Sequence, residues 1–145
     1  MNGHLLIQYY QIEMQKIINN DILLGIIVRE EHWESGLTFV TDDSEFIQVG
    51  LWNYNSGRVL DSHIHKNYER SSSLTQECVF VVSGSMLVKF YDSDMSYLEE
   101  HELHAGDMAV LLRGGHGYQI LEDGTRVIES KNGPFVSVEK DKIKF

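Results

Sequence analysis

Short apolar runs, each broken by a turn built on glycine, asparagine, aspartate or serine, recur along almost the whole chain. This punctuation constrains the fold more than anything else in the sequence. Runs rich in Val, Ile, Phe and Tyr that alternate with polar residues fit a half-buried strand, whose side chains point to opposite faces in turn. Strands are expected on this basis at residues 23–28, 37–41, 46–54, 59–65, 77–82, 86–91, 108–112, 117–121, 126–130 and 135–138. The intervening turns are explicit: Asp42-Asp43, Asn55-Ser56-Gly57, Ser83-Gly84-Ser85, Ala105-Gly106-Asp107, Arg113-Gly114-Gly115, Glu122-Asp123-Gly124 and Asn132-Gly133-Pro134. Twelve glycines and a single proline serve that role. Strands this short and evenly spaced predict an all-β, antiparallel sandwich or barrel.

Three segments read differently. Leu6, Tyr10, Met14 and Ile17 or Ile18 recur at helical spacing. A short helix is therefore expected in an N-terminal extension at residues 1–20, ahead of a single domain at 21–145. Residues 66–76 are polar and carry Ser71-Ser72-Ser73, which predicts a loop. Residues 97–104 are acidic, with Glu99, Glu100 and Glu102, and read as a solvated connection that leaves His101 and His104 at the surface.

Composition removes several function classes. Twelve Lys and Arg against 22 Asp and Glu give a formal net charge of -10. Nucleic-acid binding needs a basic stripe to displace counterions, so no nucleic-acid partner is expected. An anionic membrane surface is disfavoured for the same reason. No apolar run approaches the roughly 20 residues of a membrane helix, and residues 1–20 lack the cationic start of a secretory signal. The lone Cys78 cannot form an internal disulfide. A cytoplasmic protein is expected.

Histidines carry the chemical signal. Gly57 is followed after five residues by His63-Ile64-His65. On an extended strand, positions i and i+2 share a face, so both imidazoles would converge as metal ligands. Glu77 opens the apolar run 78–82, where a carboxylate is costly to bury unless paired or bound to a metal. His116 is flanked by Gly114, Gly115 and Gly117, which let the backbone approach a site closely.

These residues resemble the two motifs of the cupin superfamily. The first runs from glycine through His-x-His to a glutamate and a second glycine, here Gly57, His63, His65, Glu77 and Gly84. The second runs from glycine through proline and glycine to histidine, here Gly106, Leu112, Gly114 and His116. Glu77 stands further from His65 than the first motif has it; Glu69 stands at the motif's distance but opens no strand. Leu112 replaces the motif proline, and His116 arrives one residue early. The resemblance implies a cupin-type antiparallel β-barrel, also described as a double-stranded β-helix or jelly roll. It also implies one divalent transition metal (Fe, Mn, Ni or Zn) on His63, His65, Glu77 and His116, and a homodimer. Cupins of this kind include dioxygenases and isomerases acting on small polar metabolites or carbohydrates. A non-catalytic carbohydrate-binding module and a metal-free sugar epimerase are the alternatives.

Around this centre the readings are plainer. Tyr118, two residues past His116, shares its strand face and is the candidate catalytic hydroxyl. Cys78 points away from Glu77 and reads as a buried, inert thiol. Lys66, Arg70 and Arg113 lie near the expected mouth and read as solvated charges, while His4 and His32 have no partner visible in the sequence.

Overall fold

The computed structural model describes residues 13–145. In chain order its elements are β1 (Gln15–Asn19), β2 (Ile22–Val28), a 3-10 turn (Glu30–His32), β3 (Gly36–Phe39), β4 (Gly50–Asn53), β5 (Glu77–Ser83), β6 (Ser85–Tyr91), β7 (Tyr97–His104), β8 (Met108–Leu111), β9 (Gly115–Ile120), β10 (Arg126–Lys131) and the single-turn helix α1 (Val138–Asp141). They form an all-β, antiparallel fold of three sheets. A five-stranded sheet has the order β1-β2-β8-β5-β10, a three-stranded sheet β7-β6-β9, and β3 pairs with β4 alone. Among the described residues, no helix is long and apolar enough to cross a membrane.

Both faces of the five-stranded sheet are covered, as its continuous apolar runs require. One face packs Ile17, Ile27, Val79, Val81, Ala109 and Leu111 against Met86, Val88, Phe90 and Leu103 of the three-stranded sheet. The other packs Ile26, Val28, Met108 and Val110 against Val40 and Leu51 from around the β3–β4 hairpin. Gly25 leaves room for the Phe90 ring of the facing sheet. A Cβ there would lie 2.6 Å from the Phe90 ring and 2.7 Å from the Val110 carbonyl oxygen.

Four expectations are corrected. The helical spacing at Met14 to Ile18 belongs to strand β1, and the rest of that pattern, Leu6 and Tyr10, lies outside the described residues. Ile17 is buried and Ile18 is exposed, as alternation demands. Asn20 and Asp21 both take positive φ, so a two-residue turn joins β1 to β2 as a hairpin. Residues 97–104, expected as a connection, form β7, which pairs with β6 along its length. Its charges face outward while Leu103 is fully buried. Residues 59–65 form no strand. Their apolar members, Val59, Leu60 and Ile64, are all exposed, Ile64 at 91%. Residues 135–138 also form no strand; Ser137 instead caps α1, its Oγ accepting the Lys140 N–H.

A polar brace fixes the strand ends that matter most. Glu45 accepts two hydrogen bonds from the Arg113 guanidinium, at 2.7 and 3.0 Å, and a third from Gln76 Nε2 at 2.6 Å. Gln76 is buried; its Oε1 accepts the Ile47 N–H at 2.8 Å and its own N–H donates to Asn132 Oδ1 at 2.7 Å. Arg113, expected as a solvated charge, is the clamp of this network. Its hydrogen bonds outweigh burial and, with Gln76, hold the Glu45 carboxyl below its usual range. Such a depressed carboxyl stabilises the fold above the ordinary glutamate range, and that contribution fades as pH falls through the lower folded value. Glu45→Gln is expected to lower stability by about 2 kcal/mol at neutral pH. In urea denaturation the variant should approach the wild type as the medium is acidified from pH 7 to pH 3.

Candidate functional site

Two strands that neighbour this brace deliver the chemistry. Gln76 leads directly into Glu77, the first residue of β5, whose side chain turns toward the space between the two larger sheets. Arg113 leads through Gly114 and Gly115 into β9. Gly114 has φ +72°, and a Cβ on it would meet the Tyr91 carbonyl oxygen at 2.5 Å, so the turn admits only glycine. On β9, His116 and Tyr118 stand two residues apart and share a face.

All three side chains converge. His116 Nε2 lies 2.9 Å from Glu77 Oε1, and the Tyr118 hydroxyl donates to the same oxygen at 2.5 Å. The two rings are 5.4 Å apart, centroid to centroid. Glu77 is almost fully buried, with a side chain 4% exposed. Burial opposes its ionisation, but the hydrogen bonds of His116 and Tyr118, helped by the charges of His116 and Lys142, win and hold the carboxyl at about 2. Burial, with the hydrogen bond to Glu77, raises the Tyr118 phenol far above its ordinary value. The site therefore holds a permanent carboxylate that orients one imidazole and one neutral phenol.

The cluster lies at one wall of a cavity of about 680 Å³. Residues 73–75 line part of it, and residues 140–145 line another part. Phe145 stacks edge-on against Tyr91 with centroids 5.1 Å apart, in room left by Gly115.

Of the four expected metal ligands, the structure brings Glu77 and His116 together and leaves His63 and His65 apart from them. Both lie on the exposed segment between β4 and β5, as does Glu69. The two imidazoles meet each other edge to face at 5.1 Å, and His63 Nδ1 is 3.1 Å from the Asp61 carbonyl oxygen. Their convergence presumed a strand at 59–65, which does not form. Among the described residues, no three His, Cys, Asp or Glu side chains are grouped closely enough to hold a metal ion. The Glu77–His116 pair has the donor types, carboxylate and imidazole, that such an ion takes, and the 2.9 Å contact between them is itself a hydrogen bond. Adjacent ligands of an octahedral ion bound at about 2.1 Å stand about 3.0 Å apart, and the pair is 2.9 Å apart.

Other residues fall into place nearby. Burial and the charge of Glu77 push the Cys78 thiol up to about 11, so it is inert at neutral pH. His32 is buried, and its Nδ1 accepts the Arg29 N–H at 2.8 Å. His101 packs against Phe90 and bonds Glu99 at 2.7 Å. The sequence reading missed residues 140–145 as part of the site, although the alternation Lys140, Lys142, Lys144 was there to be seen.

No protein-family model matches the chain, and no curated protein or solved structure is significantly similar to it.

Tyr118→Phe removes one of the two hydrogen bonds that stabilise ionised Glu77, so the carboxyl should titrate above its value of about 2 while staying below an ordinary glutamate. Carboxyl carbon NMR of both proteins across pH 2 to 6 measures this. An unmoved Glu77 titration would show that the phenol contributes nothing to the carboxylate.

Proposed function

We propose that this chain is a cupin-like protein that holds one divalent transition metal and uses it on a small polar metabolite or sugar, in dioxygenase- or isomerase-type chemistry. The observation that carries this reading is the Glu77–His116 pair. Each residue comes from a different sheet, and they stand 2.9 Å apart at the wall of a cavity of about 680 Å³. That is the volume class of small-molecule sites. The packed sheets are read here as a jelly-roll barrel, and the acting unit as a homodimer.

Glu77 and His116 would hold the ion, with His63 and His65 as the further ligands once the segment between β4 and β5 folds over the pair. Imidazole and carboxylate donors suit Fe, Mn, Ni or Zn. A bound ion of this kind supplies Lewis acidity to a chelating substrate oxygen. Tyr118 would stand beside that substrate as a neutral proton donor, oriented by Glu77. The spacing of Gly57, His63, His65, Glu77 and Gly84, and that of Gly106, Gly114 and His116, supports the family reading.

A second reading is favoured by one contact. The Tyr118 hydroxyl and His116 Nε2 address the same Glu77 oxygen, the arrangement a carboxylate uses to orient an imidazole for proton transfer. The three residues could then serve a metal-free sugar epimerase or isomerase.

Elemental analysis of the purified protein separates the two. About one transition metal ion per chain is expected, with loss in His63→Ala/His65→Ala and in Glu77→Gln. Full occupancy in the double histidine variant sinks the four-ligand site. A metal-free wild type whose activity depends on His116 and Tyr118 establishes the second reading. A loaded protein that turns over no diol, keto acid or sugar is a binding module.

A further inference from the structure

The wall contributed by residues 140–145 has a chemical character of its own. The chain carries a net charge of -10, yet this stretch places Lys140, Lys142 and Lys144 around the cavity. None of the three ammonium groups has a carboxylate within ion-pair distance among the described residues. Lysines free of ion pairs on a cavity wall place positive charge where an incoming ligand can use it. Lys142 is near enough for its charge to be felt at Glu77.

The stretch is also held in place. Ahead of the lysine pair, Asp141 accepts a hydrogen bond from Thr75 Oγ1 at 3.1 Å and faces Lys131 Nζ at 3.9 Å. Behind it, Phe145 is seated on Tyr91 where Gly115 leaves room for the ring. Between these anchors the backbone leaves α1 in extended conformation at Lys142, with φ -135° and ψ 141°. Ile143, between the two lysines, is 78% exposed. Lys142 and Lys144 are thus carried past the cavity on a segment fixed at both ends.

We infer that the substrate of this cavity is anionic, and that Lys142 and Lys144 bind its carboxylate or phosphate oxygens while its reacting end faces Glu77, His116 and Tyr118. This rests on the cavity being the small-molecule site proposed above and names the class of molecule it takes. Ammonium groups suit either anion, since each is a mobile point charge with three donors. The acidic remainder of the surface would repel such a molecule everywhere else, which directs it to this wall.

Isothermal titration of inorganic phosphate, acetate and neutral glucose tests the assignment. It compares the wild-type protein, Lys142→Gln/Lys144→Gln, Lys142→Arg/Lys144→Arg and Lys89→Gln, which removes a lysine outside the cavity. Loss of two charge-assisted contacts should weaken phosphate or acetate binding by at least about tenfold in the Gln pair. The Arg pair and Lys89→Gln should stay within about threefold of wild type, and glucose should not distinguish the proteins. Whichever anion binds wild type more tightly identifies the group as phosphate or carboxylate. Equal anion affinity in wild type and the Gln pair, or no anion binding by wild type, overturns the inference. The metal content of the same samples reports on the ion site independently. Unchanged metal with unchanged anion affinity removes the lysine assignment alone, whereas a metal-free wild type that loses anion affinity in the Gln pair removes the ion alone.

Discussion

The buried carboxylate of Glu45 is the constraint on which the rest of the site depends. It binds the residue just before Glu77 and the residue that opens the turn toward His116. Gln76 belongs to the five-stranded sheet's approach, and Arg113 to the crossing from that sheet into the three-stranded one. Backbone N–H groups hold each strand end to its own neighbours, Arg113 donating to the Leu24 carbonyl and Gln76 to Asn132 Oδ1, and Glu45 adds the tie between the two ends. A bidentate guanidinium–carboxylate pair has directional geometry that a methyl contact lacks. The Glu77–His116–Tyr118 cluster is thus positioned by the strand ladders together with a polar network that lies outside it.

The cluster also shows how burial and hydrogen bonding divide the work. Removed from water, Glu77 alone would hold its proton; two donors on a single oxygen reverse that. The phenol is driven the opposite way by the same contact. Two adjacent acidic groups are thus pushed further apart in proton affinity, which leaves the carboxyl ionised and the phenol neutral at neutral pH.

Much of this was legible in the sequence, for reasons that differ by residue. The strands at β2, β5, β6, β8 and β10 follow from runs of branched and aromatic residues closed by glycine turns, where pattern and tertiary packing agree. Glu77 was legible because a carboxylate opening an apolar strand needs a partner, and the structure gives it two. β1 was misread because a five-residue strand spans too few positions for a period of 2 to be told from 3.6, and the decisive Asn20-Asp21 turn is weaker than an Asn-Gly signal. β7 was misread because an edge strand with one solvated face can be mostly charged while a few residues, Leu98, His101 and Leu103, carry its inner contacts. The 59–65 stretch failed in the opposite sense, since its few apolar residues find no core to pack on and stay exposed. The brace of Glu45, Gln76 and Arg113 has no local signature at all, its members being far apart in the chain.

The seating of Phe145 on Tyr91 has a further consequence. The wall that ends there is anchored by the Phe145–Tyr91 ring contact and by the polar contacts of Asp141, whereas the strands behind it are tied into continuous ladders. A segment anchored at its ends but lying outside any ladder opens locally at lower free energy than strands within one. Amides of residues 142–145 therefore belong to a fast-exchanging class, and those of β6 and β8 to the slowest. Local opening of this wall is adjustable at Phe145 or Gly115 with the packing between the sheets left intact.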